Sequence, residues 1–330
     1  MVILVTGSAG HLGEGLVRML REKDVAVRGL DRLASEYTDI VGSIVDPVIC
    51  QAAMQGGVSA VLHTASLHKP HVVTHSMQDF IDTNITGTLN LLQAAVNAGT
   101  VKKFIFTSTT SSFGQALTSK DGTTTTWIDE SVVPVPKNIY GTTKCAAEDL
   151  CQLFYQLHKL PCIVLKVSRF FPEDDDDITK QSFCSIDNAK VNELLNRRAD
   201  LYDMCTAHLA ALEKATELGF DKFIISSATP FKAMDLADLA KDAPAVVAQH
   251  YPNFYEMYRK LGWRLEATLD RVYDSSKAMR LLEWTPVYTF GYALHRAQEG
   301  QPYNSDLARQ VGKKMYHRGG AVQASSTING

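Results

Sequence analysis

A tyrosine and a lysine stand four positions apart in IYGTTK, at Tyr140 and Lys144. On a helix that spacing puts both side chains on one face, one turn apart. A phenol ordinarily ionises near pH ~10. An adjacent ammonium, and a cationic ring if one is bound beside it, each stabilise the phenolate. A drop of about three units corresponds to ~4 kcal/mol and makes the tyrosine a usable base near neutral pH. Upstream, FIFTSTTSSFG (104–114) ends a strand-like run in hydroxyls. Alternation along the strand puts Thr107 and Thr109 on one face, where a hydroxyl can hold a reacting oxygen beside the tyrosine. Ser111 and Ser112 read equally well as a Ser/Thr-rich turn.

TGSAGHLG, Thr6 to Gly13, spaces Gly7, Gly10 and Gly13 as G-x-x-G-x-x-G, with His11 and Leu12 inside the turn. It follows a strand-like run and opens a helix-like one. Glycine permits the tight turn and lets backbone N–H groups approach a pyrophosphate at the positive helix N-terminus. The spacing differs slightly from the G-x-G-x-x-G fingerprint. Asp31 lies eighteen residues after Gly13, at the end of the second strand. A carboxylate there accepts hydrogen bonds from adenosine ribose hydroxyls and repels a 2′-phosphate, which favours NAD. Arg32 beside it keeps NADP possible. The oxidised nicotinamide is then the cationic ring that Tyr140 needs.

These residues need a frame. Short β-branched runs read as buried strands at 2–6, 25–30, 60–65, 103–108 and 162–167. Amphipathic stretches at 11–23, 79–99 and 138–159 read as helices between several of them, with Gly99 as a C-cap. Such alternation predicts an α/β fold: a Rossmann-type doubly wound parallel sheet with a smaller C-terminal α/β substrate lobe. The expected division is 1–171 for the dinucleotide-binding domain and 172–311 mainly for the lobe, some of which may return to the first domain. Residues 312–330 read as a polar tail. In the second half, helices are expected near 188–199, 202–218, 234–241, 275–282 and 290–299, with one strand at 222–226.

Composition narrows the class. The 330 residues are 45% hydrophobic and 21% charged, with net charge −3, and no basic face suited to nucleic acid stands out. No C-x-x-C pair occurs among the six cysteines, so reduced thiols and no metal site are expected. No run approaches the ~18 apolar residues of a membrane span. A soluble, cytoplasmic enzyme is the expectation, with neither membrane nor nucleic acid as partner.

With these motifs in hand, the sequence resembles the extended short-chain dehydrogenase/reductase family, the NAD-dependent epimerases and dehydratases. The resemblance is strong over about 1–172 and weaker to about 295, where DRVYDSSKAMRLLEWTP (270–286) looks like the family's C-terminal segment. It implies that Thr109 is the hydroxyl partner, Tyr140 the acid/base and Lys144 the pKa tuner and ribose ligand. GSIVD (42–46) is similar to the adenine-contacting segment, through the Val45 backbone and Asp46. HTAS (63–66) resembles a His-x-Ala-Ala stretch beside the cofactor, which brings in Ala65 and Ser66, and NITGTLNLL (84–92) supplies Asn84. Thr107 and Phe170 complete the implied cofactor set. A homodimer joined by the helices at about 76–98 and 139–158 is also implied.

Two departures shape the functional expectation. The family's 4,6-dehydratases carry Asp-Glu directly after the threonine; here Thr110-Ser111 follow Thr109, which disfavours elimination. The family's R-x-x-N pattern after the sixth strand reads Lys166-Val167-Ser168-Arg169 here, so an arginine replaces the asparagine. That cation suits a substrate carboxylate or phosphate. SLHKPHVVTH (66–75) begins where the fourth strand ends, and ligands of such sheets bind outside that edge. His68 and Lys69 are therefore expected at the pocket mouth, as one half of a polar clamp completed by Arg169, with Thr110 and Phe171 nearby. His75 is expected at the start of the next helix, away from the pocket.

The acidic run 173–177 reads as solvated loop, the aromatic cluster 252–258 as lobe core, and Cys145 as an inert thiol. The expected activity is Tyr-assisted hydride transfer from a secondary alcohol of a sugar-like or sugar-nucleotide substrate, as an epimerase or dehydrogenase. The alternatives are a carbonyl reductase or dehydrogenase for a non-nucleotide anionic substrate, and a non-catalytic dinucleotide-binding regulator.

Overall fold

The computed structural model describes residues 2–119, 123–172 and 183–314. The acidic run 173–177 and the tail from 315 lie outside the described residues. Seven strands form one parallel sheet: β1 (Val2–Thr6), β2 (Ala26–Asp31), β3 (Ile40–Val41), β4 (Val58–His63), β5 (Lys103–Thr109), β7 (Cys162–Val167) and β8 (Phe220–Ile225). Their spatial order is β3-β2-β1-β4-β5-β7-β8. The chain winds outward from β1 to β3, then restarts at β4 on the other side of β1. That reversal opens a crevice at the carboxyl ends of β1 and β4, where doubly wound sheets bind their ligands.

Period-two alternation fixes what covers each face. Ile3, Val5, Leu62, Ile105 and Leu165 point to one side, against α1 (His11–Glu22) and a later helix, α7 (Leu201–Leu218). Leu4, Val61, Phe104, Phe106 and Val164 point to the other, against α2 (Pro47–Ala53), α4 (Gly87–Ala98) and α5 (Ile139–His158). Both faces are dry, so the strands read as unbroken apolar runs. α4 ends at Gly99, whose φ of 67° is the left-handed cap that the sequence predicts there.

The segment expected as one helix over 79–99 is interrupted. α3 (Met77–Phe80) passes into a π-turn, Ile81–Thr86, before α4 begins. The helix expected at 188–199 is shorter: α6 spans Ile186–Glu193. α7 and β8 belong to the large sheet and its cover. The helices Ser276–Leu281 and Asp306–Val311 also return to the core of the large sheet, while other C-terminal segments build a second core around Val191, Leu195, Phe231, Val247, Phe254 and Phe290. This lobe includes two helices not foreseen, Ala243–His250 and Phe254–Leu261. Its small parallel sheet pairs β6 (Thr126–Ile128) with β9 (Arg271–Tyr273). Phe254 and Tyr258 of the aromatic cluster are core, not pocket wall. No helix among the described residues is long and apolar enough to cross a membrane.

Candidate active site

The glycine turn connects β1 to α1 as a tight cradle. Gly7 has φ 73°, and its N–H donates to Leu30 O at 2.7 Å. A Cβ on Gly13 would lie 1.9 Å from Gly7 O, so only glycine lets the helix start this close to the strand. The N-cap, Gly10, brings no side chain to the first turn of α1, which leaves that positive end to a ligand. Asp31, at the end of β2, accepts from Ala9 N at 3.0 Å through one oxygen and from Leu33 N at 2.9 Å through the other. The carboxylate is thus locked against the cradle, with lone pairs left for ribose hydroxyls. Arg32 is exposed. Asp46 caps α2 by accepting from Val48 N at 2.8 Å, and Asn90 donates to Val45 O at 2.9 Å.

The reactive side chains meet at the end of β5. Tyr140 and Lys144 lie one turn apart on α5, which starts at Asn138, whose side chain accepts from Gly141 N. Both are buried, at 8% and 2% exposure. Lys144 Nζ donates to Thr107 O at 2.7 Å and lies 4.6 Å above the Phe106 ring. Burial pushes this ammonium down to about 7, against the pull of Glu148. Thr109 Oγ1 accepts from Ser111 N at 3.0 Å, which directs its hydrogen outward.

The expected lowering of Tyr140 does not arise from the chain alone. Burial raises the phenol to about 12, opposed by a hydrogen bond from the Thr109 side chain. The Lys144 ammonium, itself weakened by desolvation, donates to Thr107 O.

A single hydrogen-bond relay holds the cradle, the loop after β4 and α5 in register. Ala65 N donates to Thr6 Oγ1 (3.3 Å), which pairs with His63 Nδ1 at 2.7 Å. His63 Nε2 meets Thr88 Oγ1 at 3.0 Å, and Thr88 donates to Asn84 O at 2.7 Å. That last bond uses the Thr88 hydrogen, so His63 carries its proton on Nε2 and accepts from Thr6 on Nδ1. Burial pushes His63 well below its usual value, helped by the Lys144 charge, so the relay runs through a neutral ring. Asn84 lies within the π-turn, a device frequent at functional sites. It clamps Leu67 through both its N–H (2.9 Å) and its C=O (2.9 Å), and donates to Thr143 Oγ1 at 3.0 Å. Thr107 has a separate anchor: His208 Nδ1 donates to Met204 O, so Thr107 Oγ1 donates to His208 Nε2 at 2.8 Å.

At the mouth, rings from three loops converge. His68 and His11 each meet Phe171 edge-on, at centroid distances of 5.2 and 5.4 Å. His68 also stacks on His71 at 4.3 Å, and Phe170 on Phe171 at 4.3 Å. Lys69 is exposed and opens a 3-10 turn; His75, which precedes α3, is partly buried and meets the His71 ring edge-on at 5.1 Å. Arg169 forms an ion pair with Glu193 at 2.8 Å, and Arg197 and Arg198 bind the same carboxylate at 2.9 and 2.8 Å. Burial alone would raise Glu193, but the three guanidinium groups hold it down at about 2. Thr110 is buried beside Thr109, and Ser66 is partly buried after Ala65. Burial raises the Cys145 thiol, in keeping with an inert side chain. Among the described residues no three His, Cys, Asp or Glu side chains group so as to hold a metal ion.

The model of the NAD dependent epimerase/dehydratase family matches residues 3–225. The chain belongs to this family. The matched span runs from β1 through β8 and holds the whole site described above. A 3β-hydroxysteroid dehydrogenase/Δ5→4-isomerase of Mycobacterium tuberculosis is 25% identical over 94% of this chain and 92% of its own. A dTDP-D-glucose 4,6-dehydratase of Mus musculus is 29% identical over 73% and 71%. Among solved structures, a short-chain dehydrogenase/reductase superfamily protein from Agrobacterium tumefaciens with bound NAD superposes with a TM-score of 0.66 at 22% identity, covering 94% of this chain and 97% of that one. UDP-glucose 4-epimerase from Thermotoga maritima gives 0.65 at 22%, covering 91% and 98%. At that identity the structural likeness establishes the epimerase-type fold.

Sequence reasoning missed the supporting residues His63, Thr88, Glu148 and Lys166. Glu148 carried a readable signal, since it continues the Tyr140–Lys144 face by one further turn.

Proposed function

We propose that this family member is an NAD-dependent enzyme that oxidises a secondary alcohol of a sugar-like or sugar-nucleotide substrate, as a nucleotide-sugar 4-epimerase or a sugar dehydrogenase. The observation that carries the reading is the meeting of Tyr140, Thr109 and Lys144 at the end of β5, on the edge of the sheet where the glycine cradle lies.

The cradle fits a dinucleotide: glycine at 13 lets α1 start close against Gly7, no side chain caps its first turn, and Asp31 is fixed beside it with acceptor capacity for a ribose. NAD, when bound, supplies the hydride acceptor. Tyr140 Oη takes the proton of the alcohol. Thr109 Oγ1 holds the same oxygen. Lys144, with N–H groups left over from its bond to Thr107 O, would hold a ribose hydroxyl of the cofactor, and its charge would favour the phenolate. Replacement of the 4,6-dehydratase carboxylate pair by Thr110 and Ser111 supports oxidation without elimination. The named relatives span a hydroxysteroid dehydrogenase and sugar-nucleotide enzymes, so alcohol oxidation is the broader part of the proposal and the sugar the narrower.

One observation favours an anionic group on the substrate. Arg169 stands just beyond the end of β7 and keeps 37% of its side chain exposed. In this reading His68, whose ring meets Phe171 edge-on, and the exposed Lys69 form the second half of a clamp with Arg169.

Cofactor stoichiometry separates the two activities. Purified chain with NAD and panels of sugar nucleotides, sugar phosphates and sugar acids is followed at 340 nm, with product configuration read by NMR. A dehydrogenase accumulates one NADH per product; an epimerase inverts a centre with no net NADH. Absence of both across the panels rejects the sugar reading.

The proposed assembly is a homodimer through α4 and α5. Ala146, Leu150, Leu153 and Leu157 form an apolar stripe at helical spacing on α5, and Leu153 and Leu157 are 43% and 65% exposed. Sedimentation should give a dimer, shifted toward monomer by Leu153→Glu with Leu157→Glu. A wild-type monomer at micromolar concentration removes the assignment.

A further inference from the structure

Behind the reactive residues lies a buried polar cluster that the proposed chemistry does not use. Glu148 is 1% exposed and continues the face of α5 that carries Tyr140 and Lys144. Its Oε1 takes Lys166 Nζ of β7 at 2.6 Å and Ser108 Oγ of β5 at 2.5 Å. Its Oε2 takes Lys222 Nζ of β8 at 3.1 Å. Lys166, 3% exposed, also donates to Ser112 Oγ at 3.0 Å, and Ser112 donates to Thr109 O at 2.7 Å. Breaking such a buried pair is strongly unfavourable, because one charge is left uncompensated in a dry interior. An apolar pair could have packed here. The ion pair instead grips three strands and one helix, directly under Thr109 and one turn from Lys144.

We propose that Glu148 and Lys166 are positioning residues that act with opposite sign on the charge of Lys144 and together fix the end of β5 that presents Thr109. Interactions at this range are strong in a dry site, and each partner biases a neighbouring ammonium by its own charge. Glu148 is the leading charge that favours protonated Lys144. The other groups facing Lys144 are Cys151 on its own helix and the neutral His63 of β4. Those facing Glu148 are Lys166, Lys222 and the Cys145 and Cys151 thiols, with Asp149 outside at 3.9 Å from Lys222. Lys166 is the buried ammonium in direct contact with Glu148, so it sets how much of the glutamate's charge reaches Lys144.

The inference rests on the proposed role of Lys144, so the test reads Lys144 without any substrate. In protein labelled with 13C at lysine Cε, the Lys144 resonance is assigned by Lys144→Arg and titrated by NMR. Glu148→Gln should move its midpoint down by about one pH unit, a tenfold change in the charged fraction. Lys166→Met should move it up by a similar amount, and the double variant should return it toward wild type. A packing role would shift both single variants alike or neither, and either result overturns the inference. If Glu148→Gln does not fold, Lys166→Met decides alone: an upward midpoint supports the proposal and an unchanged or lower one overturns it. Turnover is measured separately. Failure to find an alcohol substrate would sink the functional reading and leave this titration valid.

Discussion

Replacing Tyr140 with phenylalanine will lower kcat by about 10²–10⁴-fold, equivalent to ~3–5 kcal/mol, and leave NAD affinity within a few-fold of wild type. The side chain is buried against Leu67 and Phe80, so the ring stays and only the hydroxyl goes. What is lost is the group that takes the alcohol proton. The pH dependence sharpens the test. Burial holds the phenol up at about 12, so the chain alone keeps Tyr140 neutral at pH 7. On the proposed mechanism the phenolate would form through positive charge gathered in the ternary complex, from Lys144 and the bound nicotinamide. Wild-type oxidation should therefore rise with pH along a limb that reports this ionisation, and the limb should vanish in Tyr140→Phe. Stopped-flow NADH formation across pH 6–10 measures both effects. Turnover that survives with its limb intact assigns the proton transfer to another group.

Placing alanine at Gly13 is the second large effect. Its methyl would sit 1.9 Å from Gly7 O and 2.5 Å from Gly7 C, both backbone atoms that no rotamer can move aside. The turn must open, at a cost of about 1–3 kcal/mol in stability. The same opening withdraws the N–H groups of the cradle from the pyrophosphate. NAD binding should weaken by at least about 100-fold, roughly 2.7 kcal/mol, as seen by quenching of protein fluorescence or by calorimetry. Thermal unfolding of the variant without cofactor separates the two losses. A variant with full NAD affinity would show that the dinucleotide binds elsewhere.

Much of this site is legible in one dimension because its parts are local. Tyr140 and Lys144 are paired by helical spacing. Gly7, Gly10 and Gly13 are selected by one turn. Strands β1 and β7 end where the sequence predicts, since strands buried on both faces read as mainly apolar runs. The lobe is less legible. Ala243–His250 lacks a clear amphipathic pattern, and Phe254–Leu261 reads first as an aromatic cluster. The π-turn at Ile81–Thr86 is also invisible, because one extra residue in a helix leaves the surrounding periodicity nearly unchanged.

The sequence by itself determined the parallel sheet, the glycine turn and the Tyr140–Lys144 pairing, each through local periodicity or a short spacing. Only the tertiary structure decided how those parts are charged and braced. Glu148 with Lys166, Glu193 with Arg169, and His63 with Thr6 and Thr88 join residues of different elements of the fold. Whether a tyrosine is neutral or a lysine half-charged depends on burial and on such distant partners. Spacing along the chain carries no record of either, because dielectric surroundings are a property of the packed interior.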